Sequence, residues 1–375
     1  MAHCSTLMGQ LLQLIPRYVF DHLVDSHAWQ GPKPRKFTYW SHLGAMLFGQ
    51  WSARKSLRDL VFSLKRQARK FYHLGFTEVA RSTLADANEQ RPAVIFEKTY
   101  YKLYERVSSE LATQPQKAPE IKIIDATTID LCAAVFPWAK FRTHKGAIKL
   151  HTVLTGLLPQ CVLVTDGRTH DRRAIQDLRF KPDDLLIFDR AYLDYVWLYQ
   201  LHQDRVWFVT RLKSNSRYEI IEEQTASGPI LADQIICLGS PKGRASYPEP
   251  LRRVHYRDPE TGKEYVFLTN RQDLSALEVA ELYRRRWQIE LFFKWIKQNL
   301  KIKAFYGTSK NAVLIQIWTA LIAYLLLVWL KFKTKAGWGL LQLNRLAQTM
   351  LLERMNLRDL LGLRPPDNRQ PLLFN

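Results

Sequence analysis

Cysteine is scarce in this sequence. Cys4, Cys132, Cys161 and Cys237 stand far apart with no C-x-x-C pair, which argues against a disulfide framework and a zinc knuckle and fits a reducing compartment. Carboxylates are short as well: 35 Asp and Glu face 55 Lys and Arg, a formal net charge of +20 at pH 7. An excess of that size points to a polyanionic partner. Internal repeats and low-complexity tracts are missing. The opening MAHCSTLMGQLLQLIP lacks the charged stretch and the small-residue cleavage site of a signal peptide, so none is expected.

What is present is the composition of a globular chain. With 47% hydrophobic, 12% aromatic and 24% charged residues, 375 residues can bury a large core, and the length corresponds to roughly two to three domains. One run is long and uncharged, Ala312 to Leu330. It is about as long as a bilayer crossing. Lys310 on one side and Lys331 and Lys333 on the other give no orientation signal, and Gln316 and Thr319 interrupt it. A helix apolar all round is buried either in lipid or in protein, and the second reading is preferred.

Periodicity divides the rest. From Phe37 to about Leu111 apolar residues recur at helical spacing, so the first third is all-α. Within it, the order around FYHLGFTEVARSTLADANEQRP, with Ser82 as an expected N-cap, is that of a helix-turn-helix, although any compact helical bundle offers similar turns. The polar, proline-bearing TQPQKAPE marks a boundary. After it come strand-type runs alternating with helical segments, then short strands and turns from Val206 to Asn270, then one long helix from about Ala276 to Asn299 and a basic tail. The expected organisation is a helical domain over 1–115, an α/β core over 116–335 with a β-rich insertion at about 206–270, and a helical tail over 336–375.

On a single helical wheel of about 100° per residue, Tyr283, Arg286, Glu290 and Lys297 share one stripe beside an apolar arc of Leu282, Ile289, Phe292, Phe293, Ile296 and Leu300. Alone, that is equally an amphipathic helix with an i, i+4 ion pair. Asp125 and Asp189 each end a strand-like apolar run, IKIID and DLLIFD. An Asp there is commonly a turn residue, but strand ends are also where α/β sheets build sites. Together with Glu290 these are three hard oxygen donors without clustered His or Cys, a set that suits Mg²⁺ or Mn²⁺ and phosphoryl transfer. His170 and Asp171 precede the second Asp and fit a helix N-terminus equally well. Lys145 and Lys149 are candidate phosphate contacts or guards of a strand edge. Trp287 and Trp295 could stack on a base, with core packing the more economical reading.

Tyr283, Arg286, Glu290 and Lys297 match the Y-x2-R-x3-E-x6-K signature at all four positions, and the chain resembles the cut-and-paste bacterial insertion-sequence transposases of the IS-four family. DRAY at 189–192 resembles that family's D-R-G-Y, and IDATT at 124–128 its first Asp box, with Ala191 and Ala126 in place of the usual small residues. KGAIKLH at 145–151 resembles the basic strand between them. The resemblance implies a ribonuclease-H-like mixed-sheet core with a β-rich insertion, preceded by an all-α domain, and a catalytic triad of Asp125, Asp189 and Glu290 holding two Mg²⁺ (or Mn²⁺) ions. It further implies DNA contacts from Tyr283, Arg286, Lys297, Lys145, Lys149 and Arg190, cleavage of double-stranded DNA at terminal inverted repeats with or without a hairpin, and joining to target DNA. A homodimer in the synaptic complex, a cytoplasmic location and no membrane partner complete that expectation. A relative that has lost catalysis and only binds DNA is the alternative.

Overall fold

The computed structural model describes residues 5–28, 34–111, 120–142, 145–169, 175, 178–334 and 337–354. Seven helices come first: α1 (Leu7–Leu12), α2 (Arg17–His27), α3 (Tyr39–Trp51), α4 (Leu57–Arg66), α5 (Ala68–Tyr72), α6 (Arg81–Gln90) and α7 (Ala93–Leu111). Strands β1 (Ile121–Cys132), β2 (Lys140–Arg142), β3 (Lys145–Thr155), β4 (Leu158–Asp166) and β5 (Leu185–Phe188) lead to α8 (Tyr195–Gln203) and β6 (Trp207–Arg211). Next come β7 (Tyr218–Gln224), β8 (Ile230–Leu238), α9 (Pro241–Ser246), β9 (Leu251–Arg257) and β10 (Glu264–Thr269). Helices α10 (Ala276–Arg284), α11 (Trp287–Asn299), α12 (Lys310–Thr334) and α13 (Leu340–Met350) complete the order. The chain divides into two compact units, one of residues 1–114, 130–139 and 294–375, the other of residues 115–129 and 140–293.

The first unit is helical because its sequence supplies both the apolar stripes and the stops. Thr38 and Ser56 cap α3 and α4, their hydroxyls accepting from the backbone N–H of Ser41 and Asp59 at 3.1 Å each. Helix α6 starts at Arg81 with Ala80 as its N-cap, so Ser82 lies inside the first turn and caps nothing. The apolar run that could have crossed a bilayer is the buried axis of this unit, packed by α3, α6, α7 and α13, with 94% of its most apolar window inside the protein. Its polar residues fix its place. Gln316 Nε2 donates to the carbonyls of Lys301 and Ala304 at 2.7 and 2.8 Å, while its Oε1 accepts from Tyr306 N–H at 2.9 Å. Lipid offers no such partners.

On α3 the same unit buries a titratable group. His42 is fully buried, and its Nε2–H donates to Asn88 Oδ1 at 2.8 Å. Burial first, and the nearby Arg91 guanidinium second, push the ring down to about 3. The folded pKa lies below the unfolded one, so the contribution of His42 is complete above about pH 6.5 and drains away as pH falls toward 3. Stability should therefore drop by up to about 1.4 kcal/mol per pH unit across that window. Denaturant titrations of the protein and of His42→Gln over this pH range would check it; parallel pH profiles would contradict it.

The second unit is built on one ten-stranded sheet in the order β2-β3-β1-β5-β6-β10-β9-β8-β7, with β4 paired to β3 off this path. At its centre β1, β5 and β6 run parallel, in register Ile123↔Ile187 and Ile187↔Val209. All four residues of β5 are buried, as expected of a parallel strand covered on both faces. Phe188 meets Trp197 of α8 and Phe208 of β6 at ring distances of 5.1 and 6.3 Å. Beyond β6 the strands β7 to β10 continue the sheet in antiparallel pairs, β10 returning beside β6.

Candidate active site

Register brings the two aspartates together. Ile124 of β1 pairs with Phe188 of β5, so Asp125 and Asp189, each the next residue, stand side by side where the β1–β5 pairing ends. β5 stops at Phe188, but β1 runs on to Cys132, so Asp125 lies within its strand and not at the strand end that its apolar run suggested. Such strands lie about 4.8 Å apart. Each carboxylate is oriented by the residue that departs from the family pattern. Asp125 Oδ1 accepts from Ala126 N–H at 2.8 Å, and Asp189 Oδ1 accepts from Ala191 N–H at 3.1 Å. Among the described residues other than glycine, positive φ occurs at Ala53, Asp183 and Arg205. Ala191 therefore occupies its turn without the left-handed backbone that would require glycine.

The third carboxylate arrives on a broken helix. A single helix from about Ala276 to Asn299 was expected, and the structure corrects this: α10 and α11 are separated at Arg285 and Arg286. There the backbone N–H groups of Arg285, Arg286, Gln288 and Ile289 bond to carbonyls three residues back, at 2.9–3.2 Å. This tighter winding rotates α11 relative to α10. One consequence is that Tyr283 leaves the polar stripe and is buried with its ring 4.9 Å from Phe267. Another is that the Arg286 guanidinium spans two acids. Its Nη1 donates to Asp125 Oδ2 at 3.2 Å and its Nη2 to Glu290 Oε1.

Burial governs the electrostatics of this cluster. The Asp125 carboxyl is pushed up to about 6, chiefly by desolvation; the Ala126 N–H and Arg286 pull it down, while Asp189 and Glu290 push it further up. Asp125 thus feels both other carboxylates. Among the described residues no three of His, Cys, Asp and Glu close into a preformed metal cage; Arg286 holds the cationic position between two of them. The donors are carboxylate oxygens, which fit a hard divalent cation.

The remaining candidates separate by unit. Arg190 is exposed directly after Asp189, and Lys149 on β3 donates to Thr169 O at 3.1 Å. Lys145 belongs to β3, but its side chain lies outside the described residues, as do His170 and Asp171. Lys297 falls in the first unit, near Lys303 and Asp130, and burial lowers its pKa. Trp295 packs on Tyr324 at a ring distance of 5.2 Å, whereas Trp287 is 57% exposed.

Sequence reading missed the surroundings of Trp287. A cleft of about 280 Å³ lies beside Arg286, lined by Arg211, Tyr265, Phe267, Tyr283, Arg284 and Trp287 among others. Arg211 stacks over Tyr265 at 5.3 Å, and Arg286 over Tyr283 at 5.8 Å. Arginine and aromatic faces together are the chemistry that holds nucleotides. Because β6 and β10 come together only through the antiparallel return, no local pattern announces this cleft.

Comparison with known proteins agrees with this architecture. The family model described as a transposase DDE domain matches residues 116–326, and one described as a domain of unknown function (DUF4372) matches residues 3–77. A Sinorhizobium fredii protein named as a transposase, y4zB, is 32% identical over 292 residues, 76% of this chain and 80% of that one. A Geobacillus stearothermophilus protein named as the transposase for insertion sequence element IS5377 is 31% identical over 221 residues, 57% of this chain and 58% of its own. A Synechocystis protein named as a transposase for the element IS4SA is 25% identical over 285 residues, covering 73% and 79%. With two aspartates side by side where two parallel strands stop pairing and a glutamate tied to the first of them through an arginine, on a ribonuclease-H-like α/β core, the chain belongs to the family of transposases with a DDE domain.

Proposed function

We propose that this transposase acts by metal-dependent cut-and-paste at terminal inverted repeats, as a member of the IS-four family, with Asp125, Asp189 and Glu290 as its catalytic carboxylates. The side-by-side placement of the two aspartates, with Glu290 joined to Asp125 through Arg286, carries this reading. Bound by the three carboxylates, Mg²⁺ or Mn²⁺ would supply the Lewis acidity that activates water or a 3′-OH and stabilises the departing oxygen. The protein's own part is positioning. Arg286 balances the acids in the free protein and stands where a substrate phosphate would compete for it. Tyr283, Arg190, Lys149, Lys145 and Lys297 are the proposed DNA contacts, and the arginine-aromatic cleft would receive the cleaved end. In this reading residues 1–115 form the helical DNA-binding part, 116–335 the catalytic core and 336–375 a tail. The working form is a cytoplasmic homodimer joining two ends, without a membrane.

The test is cleavage of labelled DNA carrying the element's own flanking repeats. Nicking at the repeat ends is expected with Mg²⁺ and not with EDTA. Cleavage indifferent to EDTA would contradict the metal mechanism, and salt-sensitive binding without cleavage would favour the inactive DNA-binding relative.

A further inference from the structure

The region matched only to a domain of unknown function contains a surface whose chemistry is specific. Helix α4 buries Leu57, Leu60, Val61 and Leu64, each at most 9% exposed. On the opposite side, at about 100° per residue, Arg58, Phe62 and Lys65 fall within about 60° of one another, and Arg66 lies next to them. Helix α5 continues the surface with Arg69 and Tyr72, both exposed.

Two features set this face apart from an ordinary solvated one. First, charge of one sign accumulates without neutralisation: among the described residues, Arg58, Lys65, Arg66 and Arg69 are exposed and no ion pair is formed by any of them. The one acid on α4, Asp59, is turned to Arg54 at 3.7 Å and to the Lys55 N–H at 3.0 Å. Second, large aromatic rings stand among these cations in solvent. Phe62 is 59% exposed and Tyr72 76% exposed, and the Arg66 guanidinium lies over the Phe62 ring at 5.2 Å. An exposed aromatic in a basic stripe costs solubility and needs a partner that is both anionic and apolar in part. Helix α6, the second helix of the expected helix-turn-helix, has the opposite character, since its exposed Arg81 is outnumbered by Asp86 and Glu89.

We propose that the α4–α5 face, Arg58, Phe62, Lys65, Arg66, Arg69 and Tyr72, is a docking surface for the backbone of double-stranded DNA. The proposal rests on the transposase reading and gives its helical part a specific contact face. The cations meet successive phosphates, the Phe62 and Tyr72 rings pack on deoxyribose, and contact is by backbone and not by base sequence. An anionic lipid surface is the competing occupant of a basic amphipathic helix, and the test separates the two.

The experiment uses the full chain and a fluorescent mixed-sequence duplex, with affinity measured from about 50 to about 200 mM salt. Replacing the four cations together (Arg58→Gln, Lys65→Gln, Arg66→Gln, Arg69→Gln) should reduce the slope of log affinity against log salt by about 3.6 and weaken binding roughly 10²-fold or more. Phe62→Ala, a second variant without charge change, should weaken binding several-fold with the slope intact. Exposure of all these side chains predicts unchanged thermal melts by circular dichroism. A quadruple variant with wild-type slope and affinity would overturn the proposal while leaving the transposase reading standing. A wild-type chain that binds no duplex would overturn both. Loss of binding to phosphatidylserine vesicles in the quadruple variant, with DNA binding intact, would assign the face to lipid and overturn it as well.

Discussion

Asp125→Asn, Asp189→Asn and Glu290→Gln are each expected to reduce strand cleavage on the order of 10³-fold or more while leaving duplex binding within a few-fold of wild type. The side chains differ from the native ones by an oxygen-for-nitrogen exchange, so packing changes little and the loss reports on charge. Because the three act as one unit, a double variant should be scarcely worse than the worst single. Cleavage kinetics and band-shift assays on the same preparations would check both halves. A single variant retaining a tenth of the activity would remove that residue from the triad.

The second large effect concerns Arg286. Its side chain is 18% exposed and holds together Asp125 and Glu290, themselves 20% and 34% exposed. Arg286→Gln should leave three carboxylates facing one another without a counterion. The expected result without divalent metal is a loss of about 1–3 kcal/mol of stability, less than for a fully buried pair because water screens part of the repulsion. Adding Mg²⁺ should stabilise the variant more than the wild type, since the ion supplies the missing charge. Denaturant melts with and without Mg²⁺ distinguish this from a packing defect, which metal would not repair.

The parts of this site that could be read in the sequence are those set by local pattern. A parallel strand segment buried on both faces is written as an apolar run, and the residue where the run stops is where full burial stops; hence Asp125 and Asp189 were identifiable, although only β5 ends there and β1 runs on, partly exposed, to Cys132. Their neighbourhood was not, because adjacency depends on the β1–β5 register across more than sixty positions of chain. The break at Arg285 and Arg286 is invisible for another reason. The sequence YRRRWQIE has no glycine or proline, and the three-residue winding accompanies contacts of Tyr283 with Phe267 and of Arg286 with two distant acids. The run Ala312 to Leu330 is ambiguous in principle, since lipid and protein interior select the same side chains. What decides it is Gln316, whose three hydrogen bonds come from the preceding loop. The arginine-aromatic cleft depends on the β6–β10 pairing, so Arg211 and Tyr265 carry no signal of their own.

The most direct test of the central claim asks whether the carboxylates touch metal. Asp189→Cys exchanges a hard oxygen ligand for a soft sulfur one, which Mn²⁺ accepts more readily than Mg²⁺. If Asp189 is a metal ligand, cleavage of DNA carrying the terminal repeats by Asp189→Cys should be lost in Mg²⁺ and partly restored in Mn²⁺, while Asp189→Asn stays inactive in both. Equal activity of Asp189→Cys in the two metals, whether high or absent, would contradict direct ligation and with it the catalytic assignment of this site.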